Sequence, residues 1–288
     1  TTLRVHVSVE CSVTCTLISR AGCSVDRINW NPRRLVTGSS EGIGKAYAHE
    51  LASRGMNLIL VSKGDTLLKK TAESIAHQFG VEVIPIVVDF SANREIYHKI
   101  WSQIKDKEIG ILINNVGVMY HYPQLFLEVP EERLWQLINV NISATTMRGA
   151  IVMMSSASCI NITPQLTVYA GTKKYVDYFV QALQYEYRDS GVIFQSLVPL
   201  YVATRMTHFS ATLSNPNLLI PSASVYARHA ITTLGFSNRT TGYWPHSLML
   251  WLLTMLPSTL WMWCATHLNN GLRRQRRRGN SGSITDTP

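Results

Sequence analysis

Charged side chains make up only 16% of this 288-residue chain, against 46% hydrophobic ones. So low a charge and so large an apolar excess belong to a globular protein with room for one large domain, a sizeable core and appendages. Cysteine is also sparse. The five present (Cys11, Cys15, Cys23, Cys159 and Cys264) are odd in number and lack metal-ligand spacing, which fits a reduced intracellular protein and no metal site. No internal repeat and no basic face interleaved with aromatics is present, and residues 1–31 are interrupted by Arg4, His6 and Glu10. That first segment therefore reads as neither secretory signal nor membrane anchor, and it is left unassigned.

What charge there is falls unevenly. The formal balance is +9, but Arg273, Arg274, Arg276, Arg277 and Arg278 carry much of it, and without them it drops to +4. The basicity belongs to a tail, residues 273–288, suited to an anionic membrane surface. No nucleic-acid partner is expected.

Leu35-Val36-Thr37-Gly38-Ser39-Ser40-Glu41-Gly42-Ile43-Gly44 reads as a short strand, a glycine turn and a helix start. Glycines let a backbone approach a pyrophosphate, and a helix N-terminus presents unpaired N–H groups to it. An amphipathic helix ending at Arg54-Gly55 and an apolar strand from Leu58 to Val61 supply the context such a turn requires. Ser62 and Lys63 follow that strand, where an NAD site usually has an acid. Lysine suits a 2′-phosphate, so NADP is expected ahead of NAD. Further strands are expected at Val83–Val88, before Asp89, and at Ile111–Ile113, Ile151–Met154 and Ile193–Val198. Helices are expected around 65–79, 93–105, 130–147 and 170–188. The alternation predicts an α/β fold, a doubly wound parallel sheet with ligands at the carboxyl ends of its strands.

Tyr169-Ala170-Gly171-Thr172-Lys173 carries the chemistry, with Ser156 thirteen residues before the tyrosine. A phenol and an amine four residues apart share one helix face. The ammonium would favour the phenolate, making Tyr169 a proton donor or acceptor nearer neutral pH, while Ser156 could hold a carbonyl oxygen. The pair alone is weak, and most such matches are bland helical neighbours.

Together with Asn114-Asn115-Val116-Gly117, in this order along the chain, these motifs resemble the short-chain dehydrogenase/reductase family over roughly residues 34–244. Gln184-Tyr185-Glu186-Tyr187, Tyr201-Val202-Ala203-Thr204 and Arg239-Thr240-Thr241-Gly242-Tyr243-Trp244 are similar to its 17β-hydroxysteroid dehydrogenase type 3/12 branch. The resemblance implies a Rossmann-type domain over 32–244. It implies Tyr169 as general acid, Lys173 lowering its pKa, Ser156 holding the substrate oxygen and Asn141 positioning a relay water. It places Gly38, Ser40, Gly42, Ile43 and Gly44 at the pyrophosphate, Lys63 at the 2′-phosphate, and Asp89 and Asn115 near the adenine side. Pro199, Val202 and Thr204 match the segment contacting the nicotinamide amide and phosphates. The implied activity is NADP-dependent reduction of a lipophilic ketone, either a steroid or a long-chain 3-oxoacyl thioester. Some members of the branch lack the tyrosine and are catalytically silent, and a silent membrane-associated binding protein is the rival reading. The implied location is the mitochondrion, alternatively the endoplasmic reticulum membrane.

The chain also departs from the family pattern. Leu200 stands where glycine is usual, and Arg33 and Arg34 precede a strand that should be apolar throughout. The helix before residue 149 is about a dozen residues short by this resemblance. Ile142 to Gly149 as helix covers about 12 Å. The climb from Ala150 to Ser155 takes about 17 to 20 Å of strand. So the descent is extended, the fifth strand is short, or Asn141 is displaced, and the family's usual homodimer through this helix is placed in doubt. Finally, Ser247 to Ala265 hold no charge but include Trp251, Trp261 and Trp263, with Pro257 in the middle. Residues 245–272 are therefore expected to be a membrane-associated segment, continuing into the arginines to 278. A span, an interfacial hairpin or in-plane helix, and packing on the domain all stay open.

Overall fold

A computed structural model describes residues 33–92, 95–143, 152–189 and 192–281. Seven parallel strands form one sheet in the order β3-β2-β1-β4-β5-β6-β7. They are β1 (Arg33–Thr37), β2 (Leu58–Ser62), β3 (Val83–Val87), β4 (Ile109–Asn114), β5 (Val152–Met154), β6 (Gln195–Leu197) and β7 (Arg239–Thr240). The order reverses between β1 and β4, which opens a crevice at their carboxyl ends.

Helices cover both faces, as burial of a parallel sheet demands. On one side α1 (Gly42–Ala52), α2 (Asp65–Phe79) and α7 (Ala223–Ile231) pack through Tyr47, Leu51, Leu68, Ile75 and Tyr226. On the other, α3 (Glu95–Ile104) supplies Ile96 and Ile100, and α4 (Glu131–Ile138) and α5 (Thr167–Glu186) complete the layer. β2 is wholly buried, as its Leu-Ile-Leu-Val run predicts. An ion pair between the exposed Arg239 and the buried Asp177 ties the last strand to this layer. Arg239 donates to both oxygens of Asp177 at 3.0 and 3.1 Å, and Ser196 donates to Asp177 at 2.7 Å.

The arginines at the start of β1 do not prevent the central strand. Arg33 pairs with Glu82, just before β3, and the register against β4 shifts between Arg33 and Arg34. Arg34 itself is buried. The strand accommodates them because they occupy its first two positions, at the end of the sheet away from the crevice.

The fifth strand is short over its described residues, and the descent that precedes it lies largely outside them. β5 has only three residues, and α4 runs into a π-helical turn, Asn139–Ser143. The stretch from Met147 to Gly149, with the chain on either side of it, lies outside the described residues. After β6 come the short α6 (Ala211–Ser214), α7 and β7. Then the uncharged C-terminal run divides into α8 (Trp244–Thr254) and α9 (Ser258–Ser281), broken at Pro257. No helix among the described residues is long and apolar enough to cross a membrane.

Candidate active site

The glycine turn sits at the crevice, and its geometry is why it needs glycine. Gly38 and Gly42 have φ of 64° and 59°, the left-handed region. A Cβ on Gly44 would lie 2.3 Å from the Gly38 carbonyl oxygen and 2.5 Å from Asn115 Nδ2, so any side chain there pushes α1 off the turn. Helix α1 starts without a side-chain cap, leaving its first N–H groups directed into the crevice. Ile43 packs on the core behind it.

Asn115 braces this turn. Its Nδ2 donates to the carbonyls of Thr37 and Gly38 at 3.0 and 3.3 Å. Thr37 returns the favour through Oγ1, which accepts from the backbone N–H groups of Asn115 and Val116, both at 3.0 Å. These contacts stitch β1 to β4 at the switch point. The opposite wall follows β6: Thr204 lies within 3.7 Å of where a Gly42 Cβ would be, and Arg205 pairs with Glu41. Val202 is buried in the core, and the Pro199 carbonyl accepts from the Ala157 N–H at 2.8 Å.

At the end of β2, Ser40 and Ser62 share a hydrogen bond of 2.9 Å, and Lys63 is exposed beside them. Asp89 lies close to that lysine. Burial pushes the Asp89 carboxyl up, but two hydrogen bonds from Ser91 and the Lys63 charge outweigh it and hold the carboxyl below its usual range. The uncapped helix, the glycine cradle and a cation at β2 fit a dinucleotide. Gly38, Gly42 and the start of α1 could take its pyrophosphate, and Lys63 with Ser40 the adenosine ribose and a phosphate on it.

The reacting groups meet beyond β4 and β5. Asn141 is fully buried and accepts from the Val118 N–H at 2.8 Å while donating to the Val118 carbonyl at 2.9 Å and to Thr172 Oγ1 at 3.1 Å. It is not displaced. Gly117 lies against both Asn141 Oδ1 and Lys173 Nζ, at 3.4 and 3.2 Å from its notional Cβ, which puts those two side chains on one floor. Lys173 Nζ donates to the Met154 carbonyl at 2.9 Å, and Ser155 Oγ donates to the Lys173 carbonyl at 2.7 Å. Ser156 accepts from the Ser158 N–H at 3.3 Å, capping a single helical turn, and its hydroxyl lies near enough to the Tyr169 phenol to pull the phenol's pKa down.

One expectation fails in sign. Burial pushes the Tyr169 phenol up to about 12, with the Ser156 hydroxyl pulling against it, and Lys173 is not among the groups that move it. Burial likewise brings the Lys173 ammonium down to about 8. The physical reason is position. Nζ is committed to the Met154 carbonyl and stands 5.9 Å from the centre of the Tyr169 ring.

Several residues that matter here were not singled out from the sequence. Tyr120 is buried, and its hydroxyl accepts from the Val168 N–H at 3.2 Å, capping the helix that presents Tyr169. Tyr201 lies near enough to raise the Tyr169 pKa a little. His246 straps two loops together: its Nδ1 accepts from the Leu200 N–H at 3.3 Å, so Nε2 carries the proton and donates to the Leu219 carbonyl at 3.2 Å. Leu200 thus uses its N–H on the protein itself. Only the quoted run Arg239 to Trp244, just upstream, was a signal near His246.

This arrangement of crevice, glycine turn, Ser156, Tyr169 and Lys173 is that of a nicotinamide-dependent oxidoreductase. The short chain dehydrogenase family profile matches residues 34–213, and the chain belongs to that family. Among its relatives is inactive hydroxysteroid dehydrogenase-like protein 1 of Homo sapiens, 46% identical over 95% of this chain and 88% of that protein. The very-long-chain 3-oxoacyl-CoA reductase of Anas platyrhynchos is 39% identical over 83% of this chain and 80% of its own. A solved short-chain dehydrogenase from Sphingobium yanoikuyae in complex with NADPH superposes with a TM-score of 0.66. It is 26% identical over 73% of this chain and 87% of that one.

Proposed function

We propose that this oxidoreductase is an NADPH-dependent reductase of a lipophilic ketone, a steroid or a long-chain 3-oxoacyl thioester. The observation that carries the reading is the convergence of Ser156 and Tyr169 with Lys173 and Asn141 at the crevice end of the sheet. Bound NADPH would supply a hydride to the carbonyl carbon. The chain's own residues do the rest. Ser156 and Tyr169 hold the carbonyl oxygen between two hydroxyls, and Tyr169 donates its proton as negative charge develops there. A phenol kept protonated by burial is suited to that direction. Lys173, brought down to about 8, can pass a proton toward the tyrosine near neutral pH, and Asn141 holds the Val118 segment that closes the floor.

NADP is preferred because Lys63, not an acid, follows β2, with the Ser40 and Ser62 hydroxyls beside it. The NADPH complex of the Sphingobium enzyme supports the same choice, and the duck reductase's name supports an acyl thioester as one substrate class. The rival reading, a silent binding protein, draws on the human relative's name, but Tyr169, Lys173 and Ser156 stand together here.

Nucleotide titration separates the cofactors. NADPH should bind more tightly than NADH, and Lys63→Glu should remove that preference by about 1–3 kcal/mol, the scale of one lost charge-assisted contact. Equal affinities in the unmodified chain would reject the NADP assignment.

A further inference from the structure

Helices α8 and α9 turn their large apolar side chains outward. On α8, Leu248, Trp251 and Leu252 are 52%, 57% and 53% exposed, as is Met255 just after it at 64%, and on α9 Leu260, Trp263 and Leu268 are 44%, 59% and 52% exposed. Within each helix these positions recur at helical spacing, so each helix has one greasy outer face. The inner face of α9 is fully used. Ala265, Asn269 and Leu272 are buried, Trp261 Nε1 donates to the Ile162 carbonyl at 2.8 Å, and Asn269 Nδ2 donates to the Pro164 carbonyl at 2.8 Å. Exposure of the outer face is therefore not a sign that α9 is loosely placed.

Charge identifies what covers that face. No aspartate or glutamate occurs from Ser190 to Thr285, a stretch that carries eight arginines and no lysine. Five of those arginines follow directly on the apolar part of α9, and Arg273 is held by Glu128 at 2.7 Å. A second copy of this chain would bring eight more arginines from the same stretch and no carboxylate from it to meet them, which disfavours it as the occupant. Tryptophan and leucine on one face with arginine at the rim is the composition of a helix lying in a membrane interface. Length points the same way. The 11 residues of α8 reach about 16 Å as helix, half of the roughly 30 Å hydrocarbon core.

We infer that the outer faces of α8 and α9 form an in-plane docking surface for an anionic lipid bilayer. Helix α9 borders the active-site cleft. Gln165 Nε2 donates to Asn270 at 2.8 Å and Ser210 Oγ donates to Gln275 at 2.6 Å. The neighbours of those two residues, Leu166 and Phe209, pack around Tyr169. Docking therefore sets the cleft mouth against the bilayer, and on the reductase reading its apolar substrate enters from the lipid.

The test is co-sedimentation of the 288-residue chain with vesicles of phosphatidylcholine alone and of phosphatidylcholine with phosphatidylglycerol. NADPH binding and thermal melting are measured on the same samples. Binding to the anionic vesicles is expected, weakened by salt and by about fivefold for each of Arg274, Arg276, Arg277 and Arg278 changed to glutamine. The double variant W251E/W263E should lose the vesicles while keeping its melting temperature and NADPH affinity. Folded protein that ignores anionic vesicles, or a double variant that still binds them, overturns the inference. So does self-association that the double variant abolishes in the absence of lipid, since a second copy would then own the face. Vesicle binding without NADPH binding would leave docking standing and the reductase reading fallen, and NADPH binding without vesicle binding would overturn docking and leave the reductase reading untouched.

Discussion

Acidification should destabilise this protein through one imidazole. Burial drives His246 down from 6.5 to about 4, although its hydrogen bonds to the Leu219 and Tyr201 backbone pull the other way. Its ring is wholly inside, edge-on to Tyr243 at 5.1 Å between centroids. Because the folded pKa is depressed, the unfolded chain binds the extra proton first. The neutral imidazole therefore carries no penalty above the unfolded value, and stability is lost as pH falls from about 6.5 toward 4. Between about pH 7 and pH 5 the loss from this residue is about 2 kcal/mol. Urea unfolding at both pH values measures it as a shift in midpoint at constant slope. His246→Gln keeps a donor and an acceptor but does not titrate. It should be weaker at pH 7 and show a pH-dependent loss smaller by about that same 2 kcal/mol. An identical pH dependence in variant and parent would refute the account of His246 as a buried, neutral strap between Leu200 and Leu219.

Two further outcomes follow from the packing. Gly44→Ala places a methyl group into the Gly38 carbonyl, so it should destabilise the chain by about 1–3 kcal/mol and abolish dinucleotide binding, read by thermal shift with and without NADPH. Asn141→Ala strips partners from the Val118 N–H and carbonyl and should cost about 1–3 kcal/mol in denaturant unfolding. A neutral Asn141→Ala would show that the floor beside Lys173 is held by something else.

The sheet was readable because parallel strands buried on both faces are continuous apolar runs and the glycine turn has few alternatives. β2 and α2 fall where Leu58–Val61 and 65–79 placed them. The two-residue β7 was not foreseen, since Arg239-Thr240 has no apolar signature and pairs only because β6 offers an edge. Asn141, Ser156, Tyr169 and Lys173 were legible as a constellation, and the fold brings them together. The electrostatics were not. An ammonium four residues along a helix was expected to act on Tyr169, but rotamer and burial decide that, and both are set by the Met154 carbonyl and the surrounding core. Pro257 announced a break in the C-terminal run. Which face of each half turns outward became visible only once α9 had Ile162, Pro164 and Ser210 to lie on.

The most direct measurement is NADPH oxidation with a long-chain 3-oxoacyl-CoA and with steroid ketones, run on the chain and on Tyr169→Phe with nucleotide affinity measured alongside. The account predicts turnover of at least one such ketone, its abolition in the variant, and NADPH affinity within about twofold between the two, since the phenol proton matters to the transition state and not to nucleotide binding. Turnover that survives in Tyr169→Phe, or a chain that binds NADPH tightly and reduces none of these ketones, would contradict it.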